Sequence, residues 1–247
     1  MDATEITLVV IAVLVGFFAK GATGIGGPML AVPVLAGFMG AEYAAAVIAI
    51  PTFVANCWLM WKMRDGATGI SWFMTPLLVA GAVGTLGGAW LLTSVDEDTI
   101  SLVLAGLVIA YIVWYFVGPE EKLSDRWARR LAAPVGFSGG ALVGATGIGA
   151  PVIASYVHAL EMARSAFIFA VTLPFWVLGG AQMVAYGYLG VLDSERLIAG
   201  LIASIPALAV MPPASKVGEK LSHRRFQIIV LAILAAAALR LIWTALT

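Results

Sequence analysis

The sequence predicts an all-α polytopic membrane protein built as two inverted four-segment repeats, and three observations carry that expectation. The first is composition: 62% of the 247 residues are hydrophobic and 11% charged, with mean hydropathy +1.00. A soluble domain is about 25% charged. The second is a set of stretches with no Asp, Glu, Lys or Arg: 43–61, 70–95, 99–117, 165–192 and 197–215. Each can cover the hydrocarbon core, which takes about 20 apolar residues of helix. The third is a repeated phrase. "GATGIGGP" begins at Gly21 and "GATGIGAP" at Gly144, 123 positions later. An offset near half the chain length marks an internal duplication.

Pro51 and Pro174 stand at the same offset of 123 and each is followed by an aromatic residue, Phe53 in one half and Phe175 and Trp176 in the other. The repeats are placed at 1–123 and 124–247. Segment one, 6–41, is too long for one crossing, carries only Lys20 before its end, and is interrupted by the first phrase. It reads as a hairpin whose first arm of about 15 residues rises about 22 Å. Segments two, three and four are the uncharged runs 43–61, 70–95 and 99–117. Segment five, 131–160, repeats the interrupted pattern at the second phrase, and 165–192, 197–215 and a last helix after Arg225 complete the second half.

Charge orients these segments, because cytoplasmic loops concentrate Lys and Arg. Lys62, Arg64, Lys122, Arg126, Arg129, Arg130, Arg164, Lys216, Lys220, Arg224 and Arg225 fall on one side, and Arg196 falls in a loop on the other. Asp2, Glu5, Asp96, Glu97, Asp98, Asp193 and Glu195 mark the opposite side. The basic loops at 118–130 and 216–225 share a side only if segment five enters and leaves on that side. Each half then has a hairpin and three crossings, which inverts one half relative to the other. For segment one the hairpin rests mainly on length and symmetry, and parity alone does not separate a re-entrant hairpin from two short crossings.

Other classes fit poorly. The N-terminus lacks the basic start of a secretory signal, so the first apolar segment is read as mature structure. Cys57 is the sole cysteine, which excludes an intramolecular disulfide, and His158 and His223 are too few for a metal site. A dinucleotide fingerprint requires a strand before its glycines. No buried acid, Ser–His pair or metal cluster points to catalysis, so no enzyme activity, cofactor or nucleic-acid partner is expected.

Inverted repeats with broken helices recur in secondary transporters. Non-helical backbone at membrane depth needs burial in protein or a watery cavity. Gly24, Gly26 and Gly27, and Gly147 and Gly149, allow positive φ and close backbone approach. Pro28 and Pro151 suit the first turn of a returning helix. Two helix N-termini then point inward as an anion site. Gly21 and Gly144 open the two phrases, and Thr23 and Thr146 add hydroxyls able to donate to an oxyanion. Lys20 supplies a counter-charge; its equivalent is Val143, so the site is asymmetric. Asn56 and Gln182 can bond substrate or a neighbouring helix. Trp176 and Phe53, near the paired prolines, are expected to pack or face lipid rather than wall a pocket; Tyr156 and His158 lie in the returning arm of the second hairpin, His158 as a structural residue; and Arg240 is expected to snorkel outward.

The two phrases, one per four-segment half, resemble the motif of the TauE/SafE sulfite exporter family, and the resemblance covers the whole chain. It implies transport of a small sulfur-containing anion such as sulfite, sulfoacetate or another organosulfonate across the cytoplasmic (inner) membrane, with the lipid bilayer as surroundings. The family motif falls on residues 21–28 and 144–151. Ala150 departs from the pattern where the first copy has Gly27, so the half-sites are not equivalent. Coupling to protons or to the membrane potential is expected, with an anion channel using the same helix ends as the alternative. Substrate, direction and oligomeric state stay open.

Overall fold

The computed structural model describes residues 3–67, 71–117, 123–218 and 223–246. Asp2, Lys122 and Lys220 lie outside them, and of Glu5, His223, Arg224 and Arg225 only the backbone is described. The described residues form ten α-helices and one 3-10 turn. In order these are α1 (Ala3–Thr23), α2 (Gly27–Met39), α3 (Ala41–Lys62), the turn at Arg64–Ala67, α4 (Ser71–Ser94), α5 (Glu97–Val117), α6 (Asp125–Thr146), α7 (Ala150–His158), α8 (Arg164–Tyr188), α9 (Ser194–Gly218) and α10 (His223–Leu246). Five of them, α3, α4, α5, α8 and α9, are long and apolar enough to cross a membrane. They coincide with the five uncharged runs.

The segments before each glycine phrase are longer than a 15-residue arm. α1 has 21 residues and α6 has 22. α6 gains its length from the charged stretch read as loop: Ser124 precedes it, and Asp125 sits in its first turn, where a carboxylate complements the helix dipole. Both helices stop at their glycines and the chain turns back. A Cβ on Gly16 would lie 3.5 Å from the Ala31 Cβ and one on Gly27 3.1 Å from the Lys20 Cδ, a falling register that makes α2 antiparallel to α1. In the second half a Cβ on Gly149 would lie 2.6 Å from Val143. The Leu123 N–H donates to the Ala159 carbonyl at 2.9 Å, bringing the end of α7 back beside the start of α6.

Side-chain contacts fix which helix ends lie together. At one end Lys62 Nζ donates to Ser215 Oγ at 2.6 Å, and Arg164 Nη2 donates to the Ala22 carbonyl at 3.3 Å. At the other, Arg196 pairs with Glu42 at 2.6 Å, and Arg240 Nε donates to the Gly37 carbonyl at 2.7 Å with its guanidinium 3.4 Å from the Phe38 ring centre. Arg240 therefore caps α2 rather than simply reaching outward. α3 and α9 run parallel between these two ends.

The most extensive helix–helix contact among the described residues is that of α4 with α6. Gly136 meets the backbone of Leu77, Gly140 that of Gly81, and Gly144 that of Thr85, a rising register that makes the two helices parallel. A Cβ on Gly140 would sit 2.8 Å from the Gly81 Cα, and one on Gly144 2.6 Å from the Ala89 nitrogen. Apolar faces gain nothing over lipid, so backbone approach through small residues supplies the packing.

Candidate anion site between two helix breaks

Each break is built from local chemistry. Gly24 and Gly26 adopt φ of 84° and 119°, and Gly147 adopts 74°, a region costly for residues with a Cβ. Gly27 is already helical, and Gly149 has φ −110°, so neither uses glycine's left-handed freedom. Gly149 is instead required by space, with the Gly139 carbonyl 2.7 Å from where a Cβ would stand. Pro28 and Pro151 occupy the first turns of α2 and α7.

The threonines do something other than expected. Thr23 Oγ1 donates to the Ala19 carbonyl at 2.9 Å or that of Ile25 at 2.8 Å, and accepts from the Ile25 N–H at 3.2 Å. Thr146 Oγ1 donates to the Leu142 carbonyl at 2.7 Å and accepts from the Ile148 N–H at 3.2 Å. Both hydroxyl protons are committed to backbone, so these residues brace the breaks. Gly21 and Gly144 are packing positions: Gly21 lies against Met211 and Ala214 of α9, and Gly144 against α4.

Two small adjoining pockets lie where the breaks meet, and both are lined by Pro28 and Thr52. One also contains Lys20, Gly26, Gly149, Ala150 and Phe175; the other contains Gly147, Gln182, Val32 and Ile48. Residues of the two phrases, 123 positions apart in sequence, thus share one cavity. The starts of α2 and α7 border it, each with first-turn N–H groups that have no partner within the helix.

Lys20 is 2% exposed and is the one charged side chain among the described buried residues. Its Nζ stands 5.9 Å from the centre of the Phe175 ring, and no carboxylate pairs with it among the described residues. Burying a lysine within a membrane protein is costly unless a partner or a polar cavity receives its charge. The break lets the ammonium face the cavity instead of lipid.

Gln182 lines the cavity, but both of its N–H groups are occupied. Nε2 donates to the Val143 carbonyl at 2.8 Å and to Tyr186 Oη at 2.9 Å, while the Tyr186 O–H donates to the Gly144 carbonyl at 2.8 Å. This pair satisfies the last carbonyls of α6. Gln182 can offer a ligand only an acceptor. Asn56 is fully buried one turn beyond Thr52, and neither of its amide atoms has a partner. Trp176 is 40% exposed, stacks on Phe53 at 6.3 Å and donates to Cys57 Sγ at 3.2 Å, so Phe175 rather than Trp176 walls the cavity. Tyr156 donates to the Ala128 carbonyl at 2.8 Å, and His158 meets Phe167 edge-on, both structural contacts.

Thr52, Phe175 and Arg164 were not singled out in the sequence as site residues. Thr52 and Phe175 each follow one of the paired prolines directly. That adjacency was the available signal.

These features define a multi-pass helical membrane protein in which, among the described residues, one buried cation without an ion-pair partner stands between two helix starts. The model of the family described as Sulfite exporter TauE/SafE matches residues 8–241. The chain belongs to that family of membrane transporters. No curated protein and no solved structure matches it.

Proposed function

We propose that the chain is a secondary transporter that carries a small sulfur-containing anion, inorganic sulfite or an organic sulfonate, across the cytoplasmic (inner) membrane by alternating access. The observation that carries this is Lys20: a buried ammonium with no ion-pair partner among the described residues, set where both glycine phrases meet. An anion can supply the missing charge, and the starts of α2 and α7 add partial charges of about +0.5 each. The two halves act as inverted repeats, each with a broken-helix hairpin. The antiparallel α1–α2 and α6–α7 turns and the segregation of helix ends support that arrangement. The end holding Lys62, Arg164 and the start of α6 faces the cytoplasm by its basic residues. Proton coupling would run through Lys20, the only charged side chain among the described buried residues.

Counterflow of labelled sulfite in proteoliposomes tests the proposal. Saturable exchange stimulated by unlabelled sulfite inside is expected; flux that never saturates and shows no exchange indicates an anion channel instead. Single cysteines introduced at Ser124 and at Thr99 should label from opposite faces of intact cells, and labelling of both from one face would refute the inverted arrangement.

A further inference from the structure

Four buried side-chain atoms in the described residues have no hydrogen-bond partner: Thr52 Oγ1, Thr172 Oγ1, and Nδ2 and Oδ1 of Asn56. A hydroxyl on a helix can donate to the carbonyl one turn back. Thr23, Thr85, Thr146 and Ser204 do so at 2.7–2.9 Å. Thr52 and Thr172 do not, and their positions say where they turn instead. Thr52 lines both pockets. Asn56 follows it by four residues, on the same face of α3. Thr172 lies on α8 between Ile168, which packs on Gly24, and Phe175, which walls the Lys20 pocket. Those neighbours are four and three residues away, so Thr172 shares their face. Two helices thus turn unpaired polar atoms toward the first glycine phrase.

Native interiors leave few buried polar groups unpaired, because each one destabilises the protein. Thr52 shares the Lys20 pocket, while Asn56 and Thr172 stand one helical turn from the pocket residues Thr52 and Phe175, and such a set is one that a polar ligand satisfies. We propose that Thr52, Asn56 and Thr172 hold the oxygens of the anion drawn in by Lys20, and that Asn56 favours an anion bearing its own hydrogen-bond donor. This rests on the transport site proposed above. The two hydroxyls and the amide N–H groups donate to oxyanion oxygens. Oδ1 of Asn56 can only accept. A bare sulfonate group offers it nothing, whereas an O–H or N–H elsewhere on the anion does.

The purified full chain separates these roles when titrated with 2-hydroxyethanesulfonate and ethanesulfonate, which carry the same charge and differ by one O–H. The parent should bind the hydroxylated ligand more tightly. Thr52→Val and Thr172→Val should each melt at higher temperature without ligand and bind both sulfonates roughly tenfold more weakly. Thr52→Ser, which keeps the hydroxyl, should retain binding, and Asn56→Leu should bind the two ligands alike. Val variants that bind like the parent overturn the contact assignment, as does a parent that binds the two sulfonates equally or binds neither. If Lys20→Met loses binding while the Val variants keep it, the transport site stands and this assignment falls. If none of the variants loses binding, both fall.

Discussion

Replacing Lys20 by methionine keeps the apolar stem and removes one buried charge. Two unit charges 4 Å apart attract by about 1 kcal/mol in water and by about 4 kcal/mol at the effective dielectric of 20 that suits protein sites. Lys20 is 2% exposed and has the Phe175 ring as its near neighbour, so little water screens it. Part of the attraction is offset by stripping water from the anion. A loss of at least about tenfold in affinity, roughly 1.4 kcal/mol, is therefore expected. The stability of the ligand-free protein should move the other way, because an unpaired buried charge is removed. Thermal unfolding of the two proteins with increasing sulfite reads both effects: a higher starting melting temperature and a smaller ligand-induced rise. Lys20→Arg should retain part of the binding. If Lys20→Met binds and exchanges sulfite like the parent, the lysine is a tolerated charge with no part in the site.

Other perturbations follow from the same geometry. Gly147→Val places a β-branched residue at φ 74° and should abolish sulfite counterflow while inserted protein remains detectable, as should Gly24→Val at φ 84°; normal exchange by both variants would remove the helix breaks from the site. Gly140→Val drives a side chain into the Gly81 backbone of α4 and should lower the yield of folded protein sharply, whereas the same change at Gly106, which meets nothing within 4 Å, should be tolerated; equal yields would contradict the parallel α4–α6 packing. Tyr186→Phe leaves the Gly144 carbonyl without its donor and should cost about 1–3 kcal/mol of stability, visible as a lower melting temperature. Asp96, just before α5, accepts from the N–H and hydroxyl of Thr99, and these bonds hold its carboxyl below the usual range. Because its folded pKa is depressed, its contribution is present above the unfolded pKa and is lost as pH falls through the folded value. Asp96→Asn should therefore flatten the acid side of the stability–pH profile, and an unchanged profile would refute the cap.

The apolar runs, the two glycine phrases and the paired prolines were legible in the sequence because each acts through its own chemistry. A stretch such as 99–117 avoids water wherever it packs, and Pro28 or Pro151 starts a helix by its ring geometry alone. The positions of the breaks followed from that, as did the place of Lys20 beside the first of them. Which faces meet could not be read. Segments apolar on every side show no polar stripe to orient them, so nothing in 70–95 or 131–146 announces that α4 and α6 lie parallel with their glycines in contact. For the same reason Thr23 and Thr146 looked like ligand donors until their hydroxyls were found on carbonyls one turn back, and the choice between substrate and a neighbouring helix for Gln182 stayed open until Val143 and Tyr186 proved to occupy its amide N–H groups. Thr52, Thr172 and Phe175 acquired meaning only when α3 and α8 were packed against the breaks. Solvation and backbone preference are properties of single residues and short stretches. Hydrogen-bond satisfaction and the sharing of one cavity by residues 123 positions apart depend on the tertiary arrangement.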